Sequence, residues 1–301
     1  MIKIISDSSA DVYSIKDVDF SCVPLKVRTT TKEYIDTGIE ETRAMCDDLA
    51  LTTDKSFTSC PNAEEWLNAF SKDKDNICFT ISSNLSGSYN SCYQAKGIYE
   101  EEYNHKVVII DSKSAASEVE LLVRKAAELV KEGKTIDEVE KEVLDYQKTT
   151  HVFFLTSSIN NFVRNGRVPP LVGKAISILN ISLIGMGSED GKIKMVGEAR
   201  TNKKALQSIY ERMKKRGYEG GKVIMANCFN DKGCEYLTNL IKEEYPSAEV
   251  IKDECGILCS YYVEEKGIII GFEGKKDEDV LDRIKEIGED IKEDIKERIE
   301  R

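Results

Sequence analysis

Ile77-Cys78-Phe79-Thr80-Ile81-Ser82-Ser83-Asn84-Leu85-Ser86-Gly87-Ser88 runs from a short apolar block into a serine-rich turn, and Tyr89 to Glu100 then reads as a helix. A short apolar run bounded by turn residues suits a strand buried on both faces. The same unit recurs on either side. Ile2 to Ile5 ends at Asp7-Ser8-Ser9-Ala10-Asp11, and Val107-Val108-Ile109-Ile110 ends at Asp111-Ser112 before a helix from Ser117 to Lys131. Cys22 to Val27 reads as a further strand and Ile136 to Thr149 as a further helix. A helix over Ala63–Phe70 places Trp66, Leu67 and Phe70 in register. Asn62 followed by Glu65 has the spacing of a capping box. Strands alternating with helices require right-handed crossovers and a mainly parallel sheet. Residues 1–150 therefore read as one α/β domain.

The second half reads differently. His151 to Leu155 opens it as a strand, and Arg164-Asn165-Gly166-Arg167-Val168-Pro169-Pro170 is a basic loop before a helix over Leu171–Leu179. Ile181–Met186 and Lys192–Val196 flank Glu189-Asp190-Gly191, which is a hairpin signal. Helices follow at about Lys203–Arg216 and Asp231–Tyr245, with strands at Lys222–Ala226, Ala248–Ile251 and Gly267–Phe272. This predicts a mixed α/β domain over 151–274. In 275–301, Val280, Ile284, Ile287, Ile291, Ile295 and Ile299 make one apolar stripe on an otherwise charged helix, either docked on the body or pairing two copies.

Composition bounds the function. The chain has 301 residues, 41% of them hydrophobic, and a formal charge of −11. That charge opposes sequence-blind binding to nucleic acid or to anionic membrane. No apolar run approaches the roughly 20 residues needed to span a bilayer. Nine cysteines without framework spacing, behind a start that turns polar at Ser6-Asp7, point to reduced thiols and a cytoplasmic protein.

Chemistry concentrates at the strand ends, where open α/β sheets bind their ligands. Ser86, Gly87 and Ser88 open a helix whose first N–H groups are unpaired, so hydroxyls and backbone can meet a carboxylate or phosphate. The same residues also suit a plain helix cap. Thr58-Ser59-Cys60-Pro61 is a second hydroxyl-bearing turn. Arg164 and Arg167 flank a glycine turn and can each pair with a carboxylate or phosphate of a ligand or a partner protein, or form structural salt bridges in a solvated loop. His105 and His151 lie in no nucleophile motif, and the P-loop and the Gly-x-Ser-x-Gly elbow are absent. The Cys228/Cys234 and Cys255/Cys259 spacings do not suit structural zinc, so no metal is expected.

In order along the chain, Ser6-Asp7-Ser8-Ser9-Ala10-Asp11, Val23-Pro24-Leu25, Phe57-Thr58-Ser59-Cys60-Pro61, Ser82 to Ser88, Asp111-Ser112 and Arg164-Asn165-Gly166-Arg167 resemble the DegV family over about Ile2–Phe272. That family includes the fatty-acid-binding subunits of bacterial fatty acid kinase. The resemblance implies two α/β domains with a long-chain fatty acid, palmitate for example, in a buried tunnel between them and no other cofactor. It implies that Thr58 and Ser86 hold the carboxylate, with Ser59, Gly87 and Ser88 beside them. It implies that Arg164 and Arg167 serve the head group and the docking of a partner kinase, which would form the acyl phosphate. The chain itself would then be a lipid-binding protein and not an enzyme. Cys60 stands where the family usually has Gln, and Tyr262 stands about where it has a His. Tyr262 can donate one hydrogen bond but is neutral near pH 7. Two other readings use the same residues: a small-molecule enzyme with Cys60 or Tyr262 reactive, and a regulatory protein assembled through its C-terminal helix.

Overall fold

The computed structural model describes residues 1–51, 56–170 and 181–276. The expected helix at Leu171–Leu179 and the striped helix beyond Lys275 lie outside them, apart from Lys275 and Lys276. In the first half the elements are β1 (Ile2–Asp7), β2 (Phe20–Val23), β3 (Lys26–Arg28), β4 (Glu33–Ile35), α1 (Thr42–Leu51), β5 (Phe57–Ser59), α2 (Ala63–Ala69), β6 (Asp75–Thr80), α3 (Ser88–Glu102), β7 (Val107–Asp111), α4 (Ser117–Lys131) and α5 (Ile136–Gln147). In the second half they are β8 (Thr150–Thr156), α6 (Asn160–Arg164), β9 (Ser182–Gly187), β10 (Ile193–Ala199), α7 (Asn202–Lys215), β11 (Val223–Asn227), α8 (Asp231–Glu244), β12 (Val250–Glu254), α9 (Ile257–Val263) and β13 (Ile268–Glu273).

The apolar runs become a parallel four-stranded sheet in the order β2-β1-β6-β7. Its two faces are covered by separate apolar clusters, one under α4 and α5 and one under α2 and α3. Both helices with the capping-box pattern show it. Asn62 accepts from the Glu65 N–H while Glu65 reaches back, and Thr135 and Glu138 do the same for α5. The second half is a mixed six-stranded sheet, β10-β9-β8-β13-β11-β12, in which only β11 and β12 run parallel. The expected hairpin is present as β9–β10.

One expected strand is two. Cys22–Val27 breaks at Pro24, which has no N–H for a ladder. Phe20–Val23 pairs with β1, while Lys26–Arg28 becomes the centre of a separate antiparallel sheet, β4-β3-β5. The turn expected at Thr58-Ser59 is strand β5 of that sheet, with Thr58 opposite Val27. Tyr34, Val27 and Met45 form a cluster with Ile257 and Tyr261 of α9, so this small sheet packs on a helix from the far end of the chain.

Helix α4 lies between the two large sheets. One side contributes Val119, Leu122, Val123 and Ala126 to the core of the parallel sheet. At its start, the Ser117 hydroxyl donates to the Ile269 carbonyl at 3.1 Å and accepts from the Ala226 N–H at 3.2 Å. Gly271 allows this approach: a Cβ there would stand 2.5 Å from the Ser117 backbone.

Candidate functional site

The loops after β6 and β7 face β8, β9, β10 and β13 across a gap. It encloses about 830 Å³ of space between protein atoms, its solvent-open mouth included. Ile81, Leu85 and Ala115 line one side, and Val152, Phe154, Met186, Ile193 and Ile269 line the other. Phe162, Leu258 and Val263 complete an almost wholly apolar wall, which is the character of a small-molecule site. The cavity lies at the carboxyl ends of the parallel strands, where such sheets place ligands.

Polar groups converge on the wall at Thr58, Ser59, Ser86, Arg167 and Tyr262. Thr58 Oγ1 and the Tyr262 hydroxyl are 2.9 Å apart. Strand β5 aims Thr58 inward, because Phe57 and Ser59 on either side are the exposed positions of its alternation. Tyr262 comes from α9 and stacks on Phe162, with ring centroids 4.9 Å apart. Burial pushes its hydroxyl pKa up, partly opposed by the Arg167 charge and the Thr58 hydrogen bond. It is therefore a neutral donor. Arg167 donates to the Leu85 carbonyl at 3.0 Å and to the Asn165 carbonyl at 2.6 Å, the first of which links the second half to the first at the cavity wall.

Ser86 accepts from the Ser88 N–H at 3.3 Å and lines the cavity. Helix α3 begins here without a side-chain cap, and its first turn contains no acidic residue. The partial positive charge of that helix start thus lies within two residues of the wall residue Ser86. Gly87 lies beside Cys60: a Cβ at Gly87 would sit 3.1 Å from the Cys60 sulfur, and Cys60 itself lines the cavity.

Three expected residues have other surroundings. The Ser88 hydroxyl is buried and donates to Asp7 at 2.6 Å, so it fixes the turn from behind and is not among the lining residues. Asp7 also accepts from the Ile81 N–H and from Ser9, so one buried carboxylate ties together the ends of β1 and β6 and the start of α3. Burial raises its pKa and the serine bonds oppose that shift. Arg164 is exposed and bonds Ser56 at 2.9 Å and Asn161 at 3.1 Å. Gly87 is exposed and is not a wall residue either. Glu264 and Glu265 also lie off the wall, with Glu265 paired to Arg43.

A supporting network was not foreseen. Asn165 accepts from the Thr58 N–H at 3.2 Å and donates to the Tyr261 hydroxyl at 2.9 Å, which in turn bonds Ser56 at 2.8 Å. These contacts lock β5, α6 and α9 into one unit. The start of α9 is fixed by two buried carboxylates: Asp36 accepts from the N–H groups of Ile257 and Leu258, and Asp11 from that of Gly256. Among the described residues no cluster of three or more His, Cys, Asp or Glu could hold a metal ion. No helix among them is long and apolar enough to cross a membrane.

This geometry defines a class: an α/β protein with an apolar cavity between its halves and hydroxyls and a guanidinium on its wall. The chain belongs to the family described as "Uncharacterised protein, DegV family", which it matches over residues 1–275. A DegV domain-containing protein of Streptococcus pneumoniae is 35% identical over 276 residues, covering 90% of this chain and 98% of that one. Two solved structures are similar throughout. A DegV family protein from Eubacterium eligens loaded with heptadecanoic acid is 33% identical, with a TM-score of 0.88 over 91% of this chain and 100% of the other. The fatty acid kinase (Fak) B3 protein of Streptococcus pneumoniae loaded with linoleic acid is 35% identical, with a TM-score of 0.88 over 91% and 99%.

Proposed function

We propose that the chain binds one long-chain fatty acid in this cavity and presents the carboxylate to a partner kinase. The observation that carries the reading is the meeting of an apolar wall with a convergent polar end at Thr58, Ser86, Arg167 and Tyr262. A carboxylate cannot be buried bare, and this end offers hydroxyls, N–H groups and a cation in place of water. Burying a sixteen-carbon tail contributes roughly 0.8 kcal/mol per methylene, on the order of 12 kcal/mol before association costs. The fatty acids carried by the two similar proteins support the same reading. Thr58, Ser59, Ser86 and Tyr262 hold the head group, Gly87 lets the turn pack against Cys60 and Ser88 braces it through Asp7, and Arg167 and Arg164 face the docked kinase. Phosphoryl transfer to the carboxylate is the partner's chemistry, since this sequence has no nucleotide motif. The cytoplasm is the compartment this chemistry needs.

Native mass spectrometry of the gently purified protein tests the proposal. It should carry a fatty acid, or take up added palmitate at a ratio of one to one. A ligand-free protein that ignores palmitate refutes the reading.

A further inference from the structure

We propose that Cys46 and Cys228 are a redox pair that closes a disulfide between the two halves of the molecule. The sulfurs are 4.0 Å apart, although 182 residues separate them in sequence. A disulfide needs about 2.05 Å, so each sulfur has to move inward by about half the difference. A small χ1 rotation provides such a shift. All nine cysteines are free thiols, and this pair is placed unlike an ordinary core pair. Cys46 is half-buried on α1 and Cys228 is buried directly after β11, so the contact runs from an accessible helix to the inner sheet.

The surroundings separate the roles. The two sulfurs share one hydrogen bond, and that contact holds the Cys228 pKa down against burial and the Glu265 charge, helped by the Ser260 hydroxyl and by Arg43. The same contact raises the Cys46 pKa. The Arg43 guanidinium lies 3.4 Å over the Phe229 ring, one turn before Cys46 and next to Cys228. Cys228 is thus the better nucleophile, and Cys46 is placed to resolve it.

The oxidant is a hydroperoxide, of which hydrogen peroxide is the smallest. The Cys228 thiolate gives an electron pair to one peroxide oxygen, the O–O bond breaks, and hydroxide leaves from a sulfenic acid. The Cys46 sulfur then attacks the Cys228 sulfur, its proton and the sulfenic hydroxyl depart as water, and the S–S bond forms. Two thiols are oxidised while one peroxide is reduced to two waters.

The bond acts on the polar end of the cavity from behind. Helix α1 packs on α9, which carries Tyr262. A link from α1 to β11 fixes that approach to the cavity end against the inner sheet.

The reduced full-length protein is treated with hydrogen peroxide, quenched in acid, unfolded in the presence of alkylating agent so that buried thiols are also trapped, and the digest is mapped. The expected result is a peptide pair joined through Cys46 and Cys228 with loss of two hydrogens, the other seven cysteines being alkylated. The melting midpoint should rise on oxidation and fall back with dithiothreitol. Cys46→Ser should abolish the link and the rise, and leave Cys228 as a sulfenic acid that reacts with dimedone. Recovery of Cys46 and Cys228 as free or separately over-oxidised residues overturns the proposal, whatever happens at Cys60. None of these readouts depends on fatty acid binding.

Discussion

The hydroxyl of Thr58 lies 2.9 Å from the hydroxyl of Tyr262, across 204 residues of sequence. One comes from the edge of a three-stranded sheet in the first half and the other from a short helix in the second. The pair therefore exists only in the assembled molecule, at the polar end of an apolar cavity.

Removing either hydroxyl should weaken a bound carboxylate. Thr58→Val, Ser86→Ala and Tyr262→Phe each remove one donor while keeping most of the side chain. A hydrogen bond to a charged group contributes about 1.5–3 kcal/mol, so each substitution should raise the palmitate Kd on the order of 10–100-fold. Titration calorimetry measures this, and an unchanged Kd in the Thr58→Val, Ser86→Ala double variant contradicts the head-group assignment.

Ser88→Ala should behave differently. It leaves the buried Asp7 carboxylate short of one donor, which costs roughly 1–3 kcal/mol of stability. The melting midpoint should fall while the folded fraction keeps its palmitate Kd within a few-fold.

Gly187 is a gap in the cavity wall. A Cβ there would meet only the tip of Val152, at 3.0 Å, and otherwise open space. Gly187→Leu should fill tunnel volume, costing C16 and C18 acids about tenfold or more in affinity and sparing C10 and C12, as a displacement panel would report. Each lost methylene contact contributes about 0.8 kcal/mol.

Gly185 and Gly271 separate two kinds of close packing. A Cβ at Gly185 would strike the Phe154 ring at 2.0 Å, whereas at Gly271 it would strike the Ser117 backbone at 2.5 Å. The Phe154 side chain can swing aside about χ1 and a helix backbone cannot. Gly185→Ala should cost about 1–3 kcal/mol, and Gly271→Ala should lower the melting midpoint further.

Stability should fall as pH rises from about 4 to 7. Burial raises Asp36 to about 6 and Glu120 to about 7, against ordinary values near 4. Asp36 faces Tyr13, Asp11, Cys22 and Cys259 with no cation in its surroundings that lowers it. The folded chain thus holds these protons more tightly than the unfolded chain. Their contribution is greatest below pH 4 and is lost as pH passes 6 to 7. For Asp36 the change is on the order of 3 kcal/mol at about 1.4 kcal/mol per pK unit. Denaturant melts at pH 4 and 7.5 should show most of it, and Asp36→Asn should reduce the difference.

The parallel sheet was legible because its strands are uninterrupted apolar runs separated by periodic helices. Strands β3, β4 and β5 have three residues each, too few for alternation to register. Helix α9 has no polar stripe: six of its seven residues are buried, and its capping carboxylates arrive from Asp36, 221 residues upstream of Ile257. Ser86 stood out as a possible anion contact at a helix start and Thr58 as a hydroxyl in a turn, but only the ordered motifs of the family paired them on one head group. Asn165 and Tyr261 join the site through tertiary hydrogen bonds that no local pattern announces. Of the two arginines, spacing alone could not tell that Arg167 turns to the cavity and Arg164 to Ser56.

Because α4 is common property of both large sheets, the lobes cannot swing apart like a clamshell without stripping water-shy surface from its flanks. Calorimetry should therefore record one melting event, with both sheets losing their packing on α4 together.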